Sequence, residues 1–279
     1  MKDICIAGCG GPAGVGMGRC LANDKRWKVY GYDSSPWGEK MAACDTTPVD
    51  QQHCDMIIPV PDPLVKKYAE CDLCFLPKKP TIYVCQDKLE SAQILGDLAP
   101  KLLWIREAEG AGGKGAMMGS EYLPGRNVSV ELVYKEGALI GSFMKERLSY
   151  RVNKVEHSVI GIGSSAVSKC IWEDVFAECA KAAVKRIDDE PHGIFGVDMQ
   201  CNDKGDPKVT EINPGRFLTA SYEFYQRGYN LPKFVVEKFL GLQVSPLEPY
   251  PLGMMIIRQT GQESWYGHED TIKLPKGWE

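Results

Sequence analysis

The 279-residue chain sets 33 Lys and Arg against 37 Asp and Glu, a formal net charge of −4, with 44% hydrophobic and 25% charged residues. This is the balance of a globular chain with a substantial core in one or two domains, and it leaves no basic footprint for nucleic acid. No apolar run approaches the roughly 20 residues of a membrane helix, and the opening "MKDICIAGCGG" is too short and glycine-rich for a signal peptide, so a cytoplasmic protein is expected.

In chain order, "DICIAGC" (3–9) predicts a strand running into the glycine stretch "GGPAGVGMG", with a helix through "MGRCLAND" (17–24). "KVYGYD" (28–33) predicts a second strand ending at Asp33. "MIIPV" (56–60) and "DLCFLP" (72–77) read as further short buried strands around a helix through "PLVKKYAE" (63–70). Strands alternating with helices predict a parallel sheet with covered faces. "LPKKPT" (76–81) reads as a Lys/Pro linker, dividing residues 1–80 from 81–279.

Beyond it, "QDKLESAQILGDL" (86–98) predicts an amphipathic helix with Asp87 near its start. "LLWIREAEGAGGKGAMM" (102–118) predicts a strand entering a glycine loop. Residues 127–148 predict a hairpin turning at "KEG", and 170–187 a helix with acids such as Glu173 on its surface. "GIFGVDMQC" (193–201) and "KVTEIN" (208–213) predict two strands joined through "NDKGDP", and "LPKFVVEKFLGL" and "GMMIIRQ" supply two last elements.

Eleven cysteines are present, eight of them by residue 85. A zinc site would need two well-spaced pairs; Cys71 and Cys74 make one, while His53 and Cys54 give only an irregular second. Small buried thiols in a reducing compartment are the simpler expectation.

Two glycine loops compete for a nucleotide. "GCGGPAGVGMG" follows the first strand, with Asp33 where a ribose-binding acid of a dinucleotide fold would sit, but Pro12 interrupts its fit to GxGxxG. "EGAGGKGA" (109–116) lets backbone N–H groups approach phosphates and adds Lys114, without the ending of a Walker loop. In "KVTEINPGRF" (208–217), Glu211 and Asn213 lie two apart on one strand face, and folding the hairpin brings Asp198 near Glu211. Two carboxylates and an amide oxygen make a hard all-oxygen set suited to Mg²⁺ held between protein and phosphates.

Lys88 in "DKLES", Arg106 in "WIRE", "GAGGKG", "EYLPGRNVSVE", "GVDMQ" and "EINPGR" stand in the order seen in the ATP-grasp superfamily. The chain resembles its branch of carbamoyl-phosphate synthase large chains, D-alanine–D-alanine ligases and related carboxylate–amine ligases. The resemblance covers most of the chain. It implies an α/β (α+β) ATP-grasp fold over 81–279, preceded by a small Rossmann-like pre-ATP-grasp domain over 1–80. Only a few residues separate "KGAMM" from "EYLPG", so the glycine-loop subdomain, about 81–120, is trimmed beside the larger one, about 121–279.

The resemblance also implies roles. Lys88 and Arg106 hold ATP phosphates under the loop of Gly110, Gly112, Gly113 and Lys114. Glu121, Tyr122 and Leu123 line the adenine pocket, and Asn127 stands where relatives often carry a ribose-binding Glu. Asp198, Glu211 and Asn213 are the ligands of Mg²⁺ (or Mn²⁺), Arg216 lies near the transferred phosphate, and Lys145 and Arg147 are candidates for the phosphoryl or carboxylate site. The implied reaction is ATP-dependent ligation of a small-molecule carboxylate to an amine through an acylphosphate, with ADP released. No nucleic-acid or membrane partner is implied, and a homodimer is left open. A carbamoyl-phosphate-type enzyme, a nucleotide binder without ligase activity and an NAD oxidoreductase using the first loop stay as alternatives.

Overall fold

The computed structural model describes residues 1–46, 53–108, 115–155, 158–258 and 265–268. Helices and strands are both present, and the chain divides into two compact units. One gathers Met1–Met56, Met144–Trp172 and Leu218–Glu279; the other gathers Ile57–Phe143 and Glu173–Phe217.

In the first unit, β1 (Lys2–Ala7) pairs in parallel with β2 (Trp27–Tyr32), from Lys2 opposite Trp27 to Ala7 opposite Tyr32. The connection is α1 (Pro12–Leu21), the right kind of crossover for parallel neighbours. The helix begins five residues before the expected Met17, because Pro12 opens it: a fixed φ and a missing N–H cost nothing in a first turn. Pro12, read as part of the glycine loop, thus starts the helix. Gly14 has no room for a side chain, since a Cβ there would lie 2.3 Å from the Gly8 carbonyl oxygen.

A short α2 (Pro36–Met41) comes next. Later segments of the chain give this unit the end of β7 (Ala138–Val155), β8 (Ser158–Cys170), β11 (Met254–Ile257) and β12 (Trp265–His268); β8 with β7, β11 with β8 and β12 with β11 all pair antiparallel. The Tyr250 hydroxyl accepts from the Met144 N–H at 2.8 Å and donates to the Ile171 carbonyl at 2.9 Å. Helices α7 (Tyr222–Tyr225) and α8 (Leu231–Phe239) pack on α1, and α8 is capped by Asn230, whose side chain accepts from the Lys233 N–H.

The second unit opens through β3 (Met56–Pro59) and α3 (Asp62–Lys67). Residues 72–77, expected as a strand, form turns and extended chain instead. Their apolar content serves packing: Phe75 and Leu76 are buried, and the Leu73 carbonyl accepts from Ile57 N–H. The expected linker at 76–81 is overturned as well. Helix α4 (Lys79–Gln86) starts inside it, with Pro80 in the first turn and Thr81 buried, donating to Asp188 at 2.8 Å.

Helix α5 (Lys88–Leu95) leads into the two-stranded antiparallel sheet of β4 (Leu102–Ala108) and β5 (Gly115–Ser120). The larger sheet of this unit runs β10 (Pro207–Pro214), β9 (Gly193–Cys201), β6 (Asn127–Lys135). The turn after β6 is at "KEG" as expected, with Gly137 at φ 78°. Helix α6 (Asp174–Ile187) packs on β6 and β10 through Phe176, Ala177, Ala180, Ala183 and Val184, an i, i+1, i+4, i+7, i+8 stripe facing the core. Among the described residues no helix is long and apolar enough to cross a membrane.

None of the cysteines is in a disulfide among the described residues, and most are core residues. Burial pushes the thiols of Cys5, Cys9, Cys85 and Cys170 up to about 12. A thiolate, not a thiol, reacts with an aromatic disulfide reagent. These four should therefore stay unmodified at pH 8 in the native protein and react on unfolding, as mass mapping of labelled peptides will show. Because the thiols keep their protons in the folded state and lose them near pH 9 when unfolded, their contribution is full below pH 9 and declines as pH rises towards 12.

Candidate functional site

The site is assembled in the second unit by the β9–β10 hairpin. Asn202 shapes the turn, its side-chain oxygen accepting from the N–H groups of Lys204 and Asp206 at 3.0 and 2.8 Å. Below the turn, Val209 pairs with Met199, and both are buried in the core. Continued without interruption, that register would set Glu211 opposite Val197, on the core face. A bulge intervenes between Val209 and Glu211, and Glu211 pairs directly with Asp198. The extra residue, Thr210, donates its hydroxyl to the Asp198 carbonyl at 3.1 Å. One inserted residue thus turns an acid from core to site.

Asp198 and Asn213 are 8% and 7% exposed, so both donor groups are desolvated before anything binds. On the other side of β9, Ser129 pairs with Asp198 and donates its hydroxyl to the Asp198 Oδ1 at 2.7 Å. Glu211, half-exposed, receives Lys88 Nζ at 3.3 Å. Lys88 is placed by the first turn of α5, where Asp87 caps the helix by accepting from the N–H groups of Leu89 and Glu90, both at 3.0 Å. Lys88, Ser91, Leu95, Leu102, Met118 and Glu211 line one cleft, polar at the Lys–Glu end and apolar along Leu102 and Met118.

Beyond β10 the chain turns at Gly215, with φ 77° and its N–H on the Ile194 carbonyl at 2.6 Å. The turn aims Arg216 back at the strand end. Its Nη2 donates to Asn213 Oδ1 at 2.6 Å, while Nε and Nη2 reach the two oxygens of Asp62 at 2.5 and 3.4 Å.

The other predicted residues are spread over both units. Asn127, on β6 opposite Gln200, holds a buried side-chain oxygen with no hydrogen-bond partner among the described residues. In the segment between β5 and β6, Leu123 is buried, the Tyr122 ring is 85% exposed, and Glu121 accepts from the Lys101 N–H at 2.9 Å. Arg106 occupies β4 opposite Met117. Gly110, Gly112, Gly113 and Lys114 lie outside the described residues. Lys145 and Arg147 belong to the first unit, on β7; Lys145 is buried and donates to Ser221 Oγ at 2.6 Å. In the first glycine turn, Asp33 accepts from Gly10 N–H at 3.0 Å, so the acid is engaged by the loop itself.

Sequence reasoning missed Ser129 and Asp62. Alternation in "NVSVE" puts Ser129 on one face with Asn127, a signal that was legible. Asp62 stands 154 residues from Arg216, and no local pattern joins them. Among the described residues no three His, Cys, Asp or Glu side chains form a metal cluster.

Residues 85–220 match a family model described as an ATP-grasp domain. Carnosine synthase 1 of Gallus gallus is 31% identical over 147 residues, covering 51% of this chain and 15% of that protein. The chain therefore spans a small part of the length of this curated relative. An L-amino acid ligase from Bacillus licheniformis superposes with a TM-score of 0.61 at 13% identity, over 92% of this chain and 79% of that one. An N5-carboxyaminoimidazole ribonucleotide synthetase from Thermotoga maritima does so at 0.57 and 16%, over 94% and 82%. Residues 85–220 thus match an ATP-grasp domain, and the mixed α/β architecture of the chain is the fold of these structures.

Proposed function

We propose that the chain is an ATP-dependent ligase that activates a small-molecule carboxylate as an acylphosphate, releases ADP and joins the carboxylate to an amine. The observation that carries the reading is the bulged pairing of Glu211 with Asp198, beside Asn213 and Lys88, inside the ATP-grasp match. The names of the carnosine synthase and the amino acid ligase favour a ligase over a bare nucleotide binder.

The residues fit the groups they would hold. Asp198, Glu211 and Asn213 offer hard oxygens to Mg²⁺ or Mn²⁺. When bound, the metal offsets the negative charge that gathers at a transferring phosphoryl group. Lys88, with Arg106 and the loop of Gly110, Gly112, Gly113 and Lys114, is assigned to the ATP phosphates. The unpartnered oxygen of Asn127 is an acceptor for a ribose hydroxyl, where a longer Glu stands in relatives. Because the Tyr122 ring faces solvent and Glu121 is engaged with Lys101, their part in adenine binding falls to the backbone beside buried Leu123. Ser129 fixes the Asp198 carboxylate by donating to it. Arg216 is assigned to the transferred phosphate; Lys145 and Arg147, in the other unit, are separate candidates for a phosphoryl or carboxylate group.

A thermal-shift titration tests the nucleotide. Mg·ATP should raise the melting temperature, since ligand at a hundred times its Kd adds about 2.7 kcal/mol to the folded state, whereas NAD should leave it unchanged. Stabilisation by NAD and not by Mg·ATP would overturn the reading. A phosphate-release screen over amino acids and small carboxylates then identifies the substrates.

A further inference from the structure

We infer that Asp62 is a positioning residue that orients Arg216, and through it Asn213, for the metal–nucleotide site. The inference rests on the function proposed above. It adds a residue from α3, which lies outside the matched span of 85–220.

Arg216 makes a fork with Asp62, Nε to Oδ1 and Nη2 to Oδ2, and the same Nη2 donates to Asn213 Oδ1. Two donors on one carboxylate fix both the plane of the guanidinium and its rotation, which a single contact cannot do. The Arg216 side chain is 17% exposed, so its charge needs a partner in place. The anchor itself is held. Val65, three residues along α3, packs so closely on Gly215 that a Cβ there would lie 2.9 Å from its Cγ1, and Leu76 closes the same space at 2.6 Å. Helix α3 and the Pro-Gly turn are therefore fixed to each other at the two residues that flank the ion pair.

Without Asp62, the Asn213 oxygen is the one acceptor left to the guanidinium among these contacts, and a cation with little solvent would leave for water. Asn213 would then lose the donor that holds its amide rotamer, and one of the three metal donors would lose its orientation. Asp62 acts wholly through Arg216.

Mn²⁺ binding in the presence of ATP, followed by electron paramagnetic resonance on the full chain, tests this. Asp62→Ala should weaken Mn·ATP binding about tenfold, the usual effect of removing a group that orients a metal-site residue. Asp62→Asn should do nearly the same, and Asp62→Glu should recover most of the affinity. The double variant Asp62→Ala/Arg216→Ala should bind no more weakly than Arg216→Ala alone. Losses that multiply in the double variant, or wild-type affinity in both Asp62→Ala and Asp62→Asn, would overturn the inference while leaving the function standing. A wild-type chain that binds no Mn·ATP would overturn both. If the alanine variant does not fold, the isosteric asparagine variant decides.

Discussion

Glu211→Gln should lower ADP formation by on the order of a hundredfold or more, with little change in melting temperature. Glutamine keeps the shape of the side chain, and Glu211 is half-exposed with Lys88 as its ion partner, so little packing depends on the charge. An exposed pair of this kind contributes about 0–1 kcal/mol to stability. Function should depend on the charge far more strongly, because a hard divalent cation is held by carboxylate charge and, among the described residues, the proposed site has one other acid, Asp198. Asn213→Ala should fall in the same range. The control is Glu178→Gln, exposed on α6, which should leave turnover at the wild-type rate. Glu173 cannot serve: it is the N-cap of α6, not a free surface acid, and its carboxylate clasps Arg126 at 2.7 and 2.9 Å. Turnover at the wild-type rate by a folded Glu211→Gln protein would remove Glu211 from the metal site.

The second large effect is on stability. Gly215→Ala should cost about 3 kcal/mol and lower the melting temperature by roughly 6–12 °C in a scanning calorimeter. At φ 77° an L-residue is strained by about 1–2 kcal/mol. The added Cβ must also displace the Leu76 and Val65 side chains, at 2.6 and 2.9 Å, both part of the packed core of this unit. Gly241→Ala separates the two terms. It has φ 63° with nothing within 4 Å, so it should show the strain alone, about 1 kcal/mol. Equal losses at the two positions would show that the contact with Leu76 and Val65 is not what makes Gly215 necessary. The Gly215 variant should also bind Mg·ATP less tightly, since the same turn aims Arg216 at Asn213.

What the sequence determined by itself was local and periodic. Two-residue alternation put Glu211 and Asn213 on one face, a strand–turn–strand pattern paired them with β9, and the helical stripe from Phe176 to Val184 predicted α6. Those signals are carried by neighbours in the chain, whose spacing is set by backbone geometry alone. Proline misled twice, at Pro12 and at Pro80, because the same fixed φ suits a loop, a linker and the first turn of a helix, and the residues C-terminal to it decide among them. The segment at 72–77 read as a strand because buried apolar chain looks the same whether or not it has a partner ladder. Tertiary structure alone decided the rest. The hairpin pattern brought Asp198 near Glu211, but the direct register of the two depends on a one-residue bulge at Thr210, which strict alternation cannot register. The pairing of Arg216 with Asp62, across 154 residues, arose because Val65 and Leu76 pack on Gly215. Sequence periodicity fixes which way a side chain faces within its own element. Which group it meets there depends on packing between elements, and that is where this site acquires its geometry.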